Sequence, residues 1–415
     1  MMAGTMRLSD LCDFVGVQVD PANHADGVYV GLEHVSSGRF VRAGEGKASD
    51  VLSGKYLFRA GDILYGKLRP YLDKAVLATD SGICTTELLV LRPKEGVDPR
   101  FLVGVVHAPS FIEHAVAGTT GVQHPRTSWG HIANFEIPPF DGEEQAKIAD
   151  LLWEVHEAIV SNEAAVEAGG DLKRAAMREL FTRGLRGEAQ KETEIGPVPE
   201  SWDVAAIGDV ALNTQYGLSL RGQPSGACPI LRMNCQEDGA VHYRNLQFVD
   251  LDTETFEAFQ LKPGDLLFNR TNSIELVGRM AIVDDDRPAV FASYLVRLTV
   301  DEKRCLPQFL NYFMNWPATQ DEIKKLASRA VGQANINATK LRTVLFPLPP
   351  TLDEQREIVA ILDAIDRKID LHKKKRAVLD ELFKALLHKL MTGEIQVSDL
   401  DLSVLDTTTK RGKAA

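Results

Sequence analysis

Cysteine is scarce in this chain: five residues, Cys12, Cys84, Cys228, Cys235 and Cys305, among 415. The number is odd and no two stand in a C-x-x-C arrangement, which argues against a disulfide framework and against structural zinc. The thiols read as reduced, intracellular ones. No apolar run approaches the roughly 20 residues of a membrane span, and residues 1–11 hold no signal-peptide core. A cytoplasmic chain with no membrane association is expected. Net positive charge is missing too. A formal charge of −11 argues against nonspecific polyanion binding by the whole surface, though not against a local basic face.

Catalytic signatures are equally absent. There is no G-x-S-x-G and no H-E-x-x-H. Gly44-Glu45-Gly46-Lys47-Ala48 lacks the leading glycine and the Ser/Thr that a phosphate loop needs. Ile137-Pro138-Pro139-Phe140 places isoleucine where amino-methylating enzymes need Asn or Asp to hold the target amino group. The ten histidines are scattered, and His107 and His114, which could share a helix face, read as core or surface histidines. No carboxylates pair in a nuclease-like way. The expectation is a chain that binds rather than cuts, with no catalytic residue, metal or cofactor of its own.

What is present is ordinary in composition, with 44% hydrophobic and 25% charged residues, and unusual in layout. From residue 353 to 391 apolar residues recur at helical spacing: Ile358, Ile361, Leu362, Ile365, Ile369, then Leu379, Leu382, Phe383, Leu386, Leu387 and Leu390. Residues 143–181 repeat the pattern with Ile148, Leu151, Leu152, Val155, Ile159, Leu172, Met177, Leu180 and Phe181. Glu144-Gln145 matches Glu354-Gln355, Ile148 matches Ile358 and Leu180 matches Leu390, all at one offset of 210 residues. A constant offset of that length means one unit written twice. Asp141 with Glu144, and Thr351 with Glu354, have capping-box spacing. A continuous helix of about 40 residues is roughly 60 Å long, and alone it would leave its apolar stripe in water. The stripes therefore need each other or a partner. Gly169-Gly170 interrupts the first helix at about 1 kcal/mol per glycine, so a kink or frayed turn is expected there.

The segments before each helix also correspond. Val28 to Leu32 and Leu88 to Leu91 read as strands, 99–117 as helical, and Pro138-Pro139 as a boundary. Gly61-Asp62-Ile63-Leu64-Tyr65 returns as Gly264-Asp265-Leu266-Leu267-Phe268, Leu88 to Leu91 as Tyr294-Leu295-Val296-Arg297-Leu298, and Gly121-Val122-Gln123 as Val331-Gly332-Gln333. The expected division is a mixed domain over 1–140, a long helix over 141–187, a linker and second mixed domain over 188–350, a second long helix over 351–397, and a flexible tail over 398–415.

Between Val28 and Lys74 stand eight Lys/Arg against five Asp/Glu, a basic island in an acidic chain. Arg42 lies within it. Its centre, Tyr65-Gly66-Lys67-Leu68-Arg69-Pro70-Tyr71, offers Lys67, Arg69 and Tyr71. The equivalent loop offers Asn269, Arg270 and Asn272. Arginine and lysine suit guanine edges and phosphates, and asparagine and glutamine suit adenine. The loops carrying Gln123, His124 and Arg126, and Gln333, Asn335, Asn337 and Lys340, have the same character. Arg232 completes the DNA-binding candidates. A bland alternative is that all are solvated turns, but two such loops at equivalent places in a duplicated chain weigh against it. Lys373-Lys374-Lys375-Arg376 reads first as a solvated helix face.

Gly61 to Tyr71, the Pro-Pro-x-x-x-Glu-Gln helix entries, and Ile195-Gly196-Pro197-Val198-Pro199-Glu200-Ser201-Trp202 together resemble the specificity subunit of type I restriction–modification systems. The likeness covers about residues 6–397, in order and twice. It implies an α+β fold: two mixed α/β target-recognition domains separated by two long helices packed as an antiparallel coiled coil, with an internal pseudo-two-fold repeat. It further implies that each domain reads one half of a split, asymmetric DNA sequence while the helices measure the unread spacer. The implied partners are double-stranded DNA and two methyltransferase subunits that carry S-adenosylmethionine and methylate adenine. Restriction subunits using ATP and magnesium join where the system has them. Gly169-Gly170 departs from the rigid helix that the resemblance implies. Two other readings compete: a methyltransferase or nuclease in its own right, which would need a site the sequence lacks, and a coiled-coil scaffold without DNA selectivity.

Overall fold

The computed structural model describes residues 4–330 and 332–400. Val331 and most of the tail expected to be flexible, residues 401–415, lie outside the described residues. The chain divides into two compact units: one holds the residues up to 164 and those from 372 onward, the other residues 165–371. Each unit therefore contains one mixed α/β body, the first half of one long helix and the second half of the other.

In the first unit the central sheet runs Cys12–Phe14, Leu88–Pro93, Ile63–Gly66, Ala75–Leu77, antiparallel throughout. The second unit repeats this order with Ala211–Tyr216, Leu295–Val300, Leu266–Asn269 and Met280–Ile282. Residues 88–91 and 63–66 are buried without alternation, because both faces of these strands are covered. The Gly-Asp pair entering each third strand has a definite task. Gly61 and Gly264 take φ of +89° and +91°, a conformation that glycine adopts without strain. The following aspartate is buried and accepts the amide three residues back, from Arg59 at 2.9 Å and Lys262 at 2.9 Å. Arg92 adds two bonds to Asp62 at 2.8 and 2.7 Å, while Asp265 accepts from Thr299 at 3.0 Å with Arg297 at 3.6 Å. The turn is thereby locked where it feeds the strand that ends in the candidate loop.

The long helices run Gly142–Arg183 and Leu352–Met391. Asp141 Oδ1 accepts the amides of Glu143 and Glu144, both at 2.9 Å, and Glu144 returns a bond from the Asp141 amide at 3.2 Å. At the second helix Thr351 Oγ1 accepts from the Glu354 amide at 3.3 Å. Each buried glutamine of the Glu-Gln pair then ties the helix to its own body. Gln145 accepts from the Asp98 amide at 3.3 Å and donates to the Phe140 carbonyl at 3.0 Å. Gln355 accepts from Leu306 at 2.8 Å and donates to Arg304 at 2.9 Å. Asp98 and Leu306 stand at the N-termini of the equivalent helices Pro99–His107 and Pro307–Asn315.

Within each unit the two helix halves pack antiparallel. In the first, Asn162 meets His372 at 2.8 Å, while Leu152 and Met391 both close on Gly104. In the second, Lys173 meets Asp366 at 2.7 Å and Gly169 meets Ile369. Of the kink or frayed turn expected at Gly169-Gly170, the fray is absent: helical backbone continues through both glycines. A Cβ on Gly169 would lie 2.7 Å from Ile369 Cγ1, so that glycine is a packing device. Its propensity cost of about 1 kcal/mol is offset by the close approach. The apolar stripe is also narrower than expected. Leu172 and Leu382, assigned to it by spacing, are 57% and 44% exposed and face away from the seam.

One buried histidine ties the first body to its helix. His156 Nε2 accepts the Phe40 amide at 3.1 Å, and its ring stacks on Phe40 at 4.9 Å, so the imidazole is neutral. Burial, with the charges of Arg39 and His107, lowers its pKa to about 4. The unfolded chain takes up this proton near the ordinary value of 6.5. Between about pH 6.5 and 4 the unfolded state thus binds more protons, and stability falls as pH falls through that window. The loss should be on the order of 1–2 kcal/mol after allowance for partial solvent screening. His156→Gln keeps an acceptor for Phe40 without titrating. Thermal unfolding followed by circular dichroism should show a weaker pH dependence for H156Q than for the parent between pH 6.5 and 5. Parallel curves would mean that this histidine does not couple folding to pH.

Candidate nucleic-acid interface

Each central sheet delivers its third strand into a loop that a second, distant loop holds by backbone hydrogen bonds. In the first unit the Lys67 amide donates to the Glu87 carbonyl at 3.0 Å, and the Thr127 amide donates to the Lys67 carbonyl at 3.0 Å. In the second, the Arg270 amide donates to the Tyr294 carbonyl at 3.0 Å, and the Ile336 amide donates to the Arg270 carbonyl at 2.8 Å. Lys67 and Arg270 therefore occupy the same node of the same frame. Two residues on, Arg69 corresponds to Asn272. The backbone frame is common to both units and the side chains differ.

The first loop pair is strained and tightly held. Arg69 and Asp73 both have left-handed backbone, with φ of 52° and 50°, which costs about 1 kcal/mol or more for a residue with a side chain. The Arg69 amide donates to Pro125 O at 2.7 Å and its Nη2 to Gln123 O at 3.3 Å. Its Nε is buried without a partner. Leu68 and Arg126 form a bridge, so Lys67, Arg69 and Tyr71 are brought to the segment carrying Gln123, His124 and Arg126. Tyr71, Gln123 and His124 are exposed. Arg126 is the most occupied of the set: Nε and Nη2 reach Glu87 at 2.9 and 3.2 Å, which keeps its guanidinium firmly charged.

The second pair is built as a small sheet. Thr271–Asn272 pairs antiparallel with Gln333–Asn335, which in turn pairs with Ser328–Ala330. Asn335 Nδ2 donates to Thr271 Oγ1 at 2.7 Å, and Asn272 Oδ1 accepts the Ser273 amide at 2.8 Å. Gln333 is exposed. Arg270 lies over the Tyr216 ring at 4.8 Å and donates from Nη1 to Ser293 O at 3.1 Å. Its Nε is buried and unpartnered. Asn269 is buried, with Oδ1 lacking a partner, and sits under this loop rather than on its surface. Lys340 is turned inward, reaching Leu326 O at 2.7 Å and Ser328 Oγ at 3.0 Å, while Asn337 caps the short helix by accepting the Lys340 amide at 2.8 Å.

Two candidates stand apart from these pairs. Arg42 is clamped by Asp80 through two bonds of 2.6 Å and by Glu45. Those bonds hold the Asp80 carboxyl below the usual carboxylate range. Arg232 stands at the N-terminus of the turn Met233–Cys235, with a buried, unpartnered Nε. Sequence spacing also missed two residues that the frame depends on. Glu87 pins Arg126 across 39 positions. Tyr216 lies under Arg270 while its hydroxyl accepts the Ala338 amide at 2.9 Å. The one available signal for Glu87 is an acidic side chain directly before the apolar strand 88–91. Tyr216 carries no such signal.

Residues 199–381 match the family described as the type I restriction modification DNA specificity domain. The chain is 32% identical over 216 residues to a putative type I restriction enzyme specificity subunit, MjaX, of Methanocaldococcus jannaschii, covering 51% of each chain. It thus spans about half the length of that relative. It is 25% identical over 351 residues to the MjaVIII specificity subunit of the same organism, covering 82% of this chain and 78% of that one. Among solved structures, the type I restriction–modification S subunit from M. genitalium aligns with a TM-score of 0.58 at 14% identity, covering 94% of this chain and 96% of that one. At that identity the likeness is one of fold. The duplicated sheet order, the paired helices and the Gly-Asp turns accompany a similarity in sequence and fold to type I restriction–modification specificity subunits that extends over most of the chain.

Proposed function

We propose that this chain is the noncatalytic DNA-specificity subunit of a type I restriction–modification complex. Residues 1–140 and 188–350 would each act as a recognition domain reading one half of a bipartite, asymmetric DNA site. The helices within 141–187 and 351–397 would set the unread spacer and dock two methyltransferase subunits. The observation that carries this reading is the doubled loop frame, in which one hydrogen-bond pattern presents Lys67 and Arg69 in one unit and Arg270 and Asn272 in the other. One frame with different side chains is what reading two different half-sites requires, because arginine and lysine suit guanine and asparagine suits adenine.

The cofactors would belong to the partners: S-adenosylmethionine to the methyltransferase subunits, ATP and magnesium to restriction subunits where these exist. A net charge of −11 fits a shared interface, since phosphate contacts supply much of protein–DNA affinity and partner subunits can provide them. Such a complex would work in the cytoplasm.

Mapping methylated adenines in DNA from cells that carry this chain with its methyltransferase is expected to reveal one two-part asymmetric motif. Methylation without a split motif would overturn the reading, and a chain that leaves methylation unchanged would favour a scaffold. Spacer length gives a second test. Seven residues inserted near Val166 and seven near Ala377 lengthen each helix by about 10 Å, which should widen the unread spacer by about three base pairs. An unchanged spacer would mean that the helices do not measure it.

A further inference from the structure

We propose that the two halves of this chain are coded for each other: the first long helix is shaped to pair with the second and is mismatched to a second copy of itself. The inference rests on side chains buried or half-buried in the helix junctions and is independent of what the loops bind. A duplicated chain faces a pairing problem. Its helices share their caps, their Glu-Gln entries and most of their stripe, so like-with-like pairing between two chains is a close competitor of pairing within one chain. The structure separates these outcomes at three positions, where residues 210 apart differ in kind.

In the first unit the junction is aromatic. Phe383 of the second helix packs on Phe40 at 5.3 Å, and Phe40 also meets Trp153 at 5.3 Å and His156 at 4.9 Å. Arg39 bridges Glu163 of the first helix and Asp380 of the second, and Leu379 packs against this core. In the second unit the junction is charged. Lys173 of the first helix meets Asp366 at 2.7 Å and lies 5.1 Å over the Tyr312 ring. The Tyr312 hydroxyl is 2.7 Å from Asp363 and 2.8 Å from Asp366, and Gly169 admits Ile369.

The 210-residue offset shows what like-with-like pairing would do. Two first halves would place Lys173 where Phe383 now sits, Gly169 in place of Leu379 and Gly170 in place of Asp380. An ammonium would enter the aromatic pocket without Asp366, Arg39 would lose a carboxylate, and the core would lose a leucine side chain. Two second halves would place Phe383 where Lys173 now neutralises Asp366, leaving Asp363 and Asp366 against Tyr312 with no cation. Leu379 would replace Gly169, where even a single Cβ stands 2.7 Å from Ile369. One wrong pairing is underpacked, the other overpacked and self-repelling. Repulsive features of this kind give specificity against wrong partners.

The test starts from the intact chain with a protease site placed beside Gly187, in the segment following the first helix. The folded protein is cleaved, the products are unfolded and refolded together, and native mass spectrometry counts the fragment pairs. Pairing of unlike fragments should be favoured over like pairs by at least about a hundredfold, where chance gives half unlike pairs. A statistical mixture would overturn the proposal. A variant carrying Gly169→Leu, Gly170→Asp and Lys173→Phe, which gives the first helix the second's residues, should shift the count toward first-half pairs. No shift would overturn it equally. If the cleaved fragments do not refold, the intact chain still decides through G169L/K173F and L379G/F383K, which reproduce the two mismatches inside the cis pairing. Each should unfold several degrees lower than the parent, and an unchanged midpoint in either would contradict the coding.

Discussion

Neither long helix, of 42 and 40 residues, can hide its apolar stripe by itself, and the rest of the structure depends on how that stripe is buried. The first half of each helix is fixed to its own body by a buried glutamine, and the second half of the other helix closes the same core. Phe383, Leu386, Leu387, Leu390 and Met391 are therefore core residues of a body that begins some 370 positions earlier, near Leu8 and Leu11. A body completed by a helix end from the far side of the chain is not assembled until both halves of the chain have been made. Folding of the two units is coupled through the sequence, with long-range contacts of the kind that slow folding.

On that foundation the loops are held by a short chain of causes. The Gly-Asp turn fixes the entry of the third strand, the strand fixes where its far end emerges, and the second loop locks that end by backbone hydrogen bonds. The side chains at the node are then free to vary without disturbing the fold. Lys67 and Arg270 share a backbone environment, yet one is followed by a strained Arg69-Pro70 turn and the other by a small sheet. Strain at Arg69 and the unpartnered Nε atoms of Arg69 and Arg270 would be tolerable if these loops meet another molecule, as proposed above.

Much of this was legible in the sequence, for physical reasons. A 3.6-residue period sustained over forty positions is the strongest signal a chain offers, and a constant offset of 210 between two such stretches identified the duplication. Local chemistry also read through: the Asp141–Glu144 box is bonded as its spacing implies. What could not be read was set by tertiary proximity. Gly169 looked like a weak point because propensity knows nothing of Ile369, 200 positions away. Leu172 and Leu382 have the right period and the wrong face. Arg42 looked like one cation of a basic island, while Asp80, 38 residues on, takes its guanidinium with two hydrogen bonds. Tyr216 is invisible as a support for Arg270 until a sheet brings them together.

The most direct measurement of the account is reciprocal. Chains carrying Lys67→Ala with Arg69→Ala, or Arg270→Ala with Asn272→Ala, are each expressed with the proposed methyltransferase partner, and the methylated motif is mapped in both. Each variant is expected to relax or lose one half of the motif, a different half for each, while the other half stays intact. If both variants altered the same half, or either altered neither half while the complex still assembled, the two loop frames would not be the two readers.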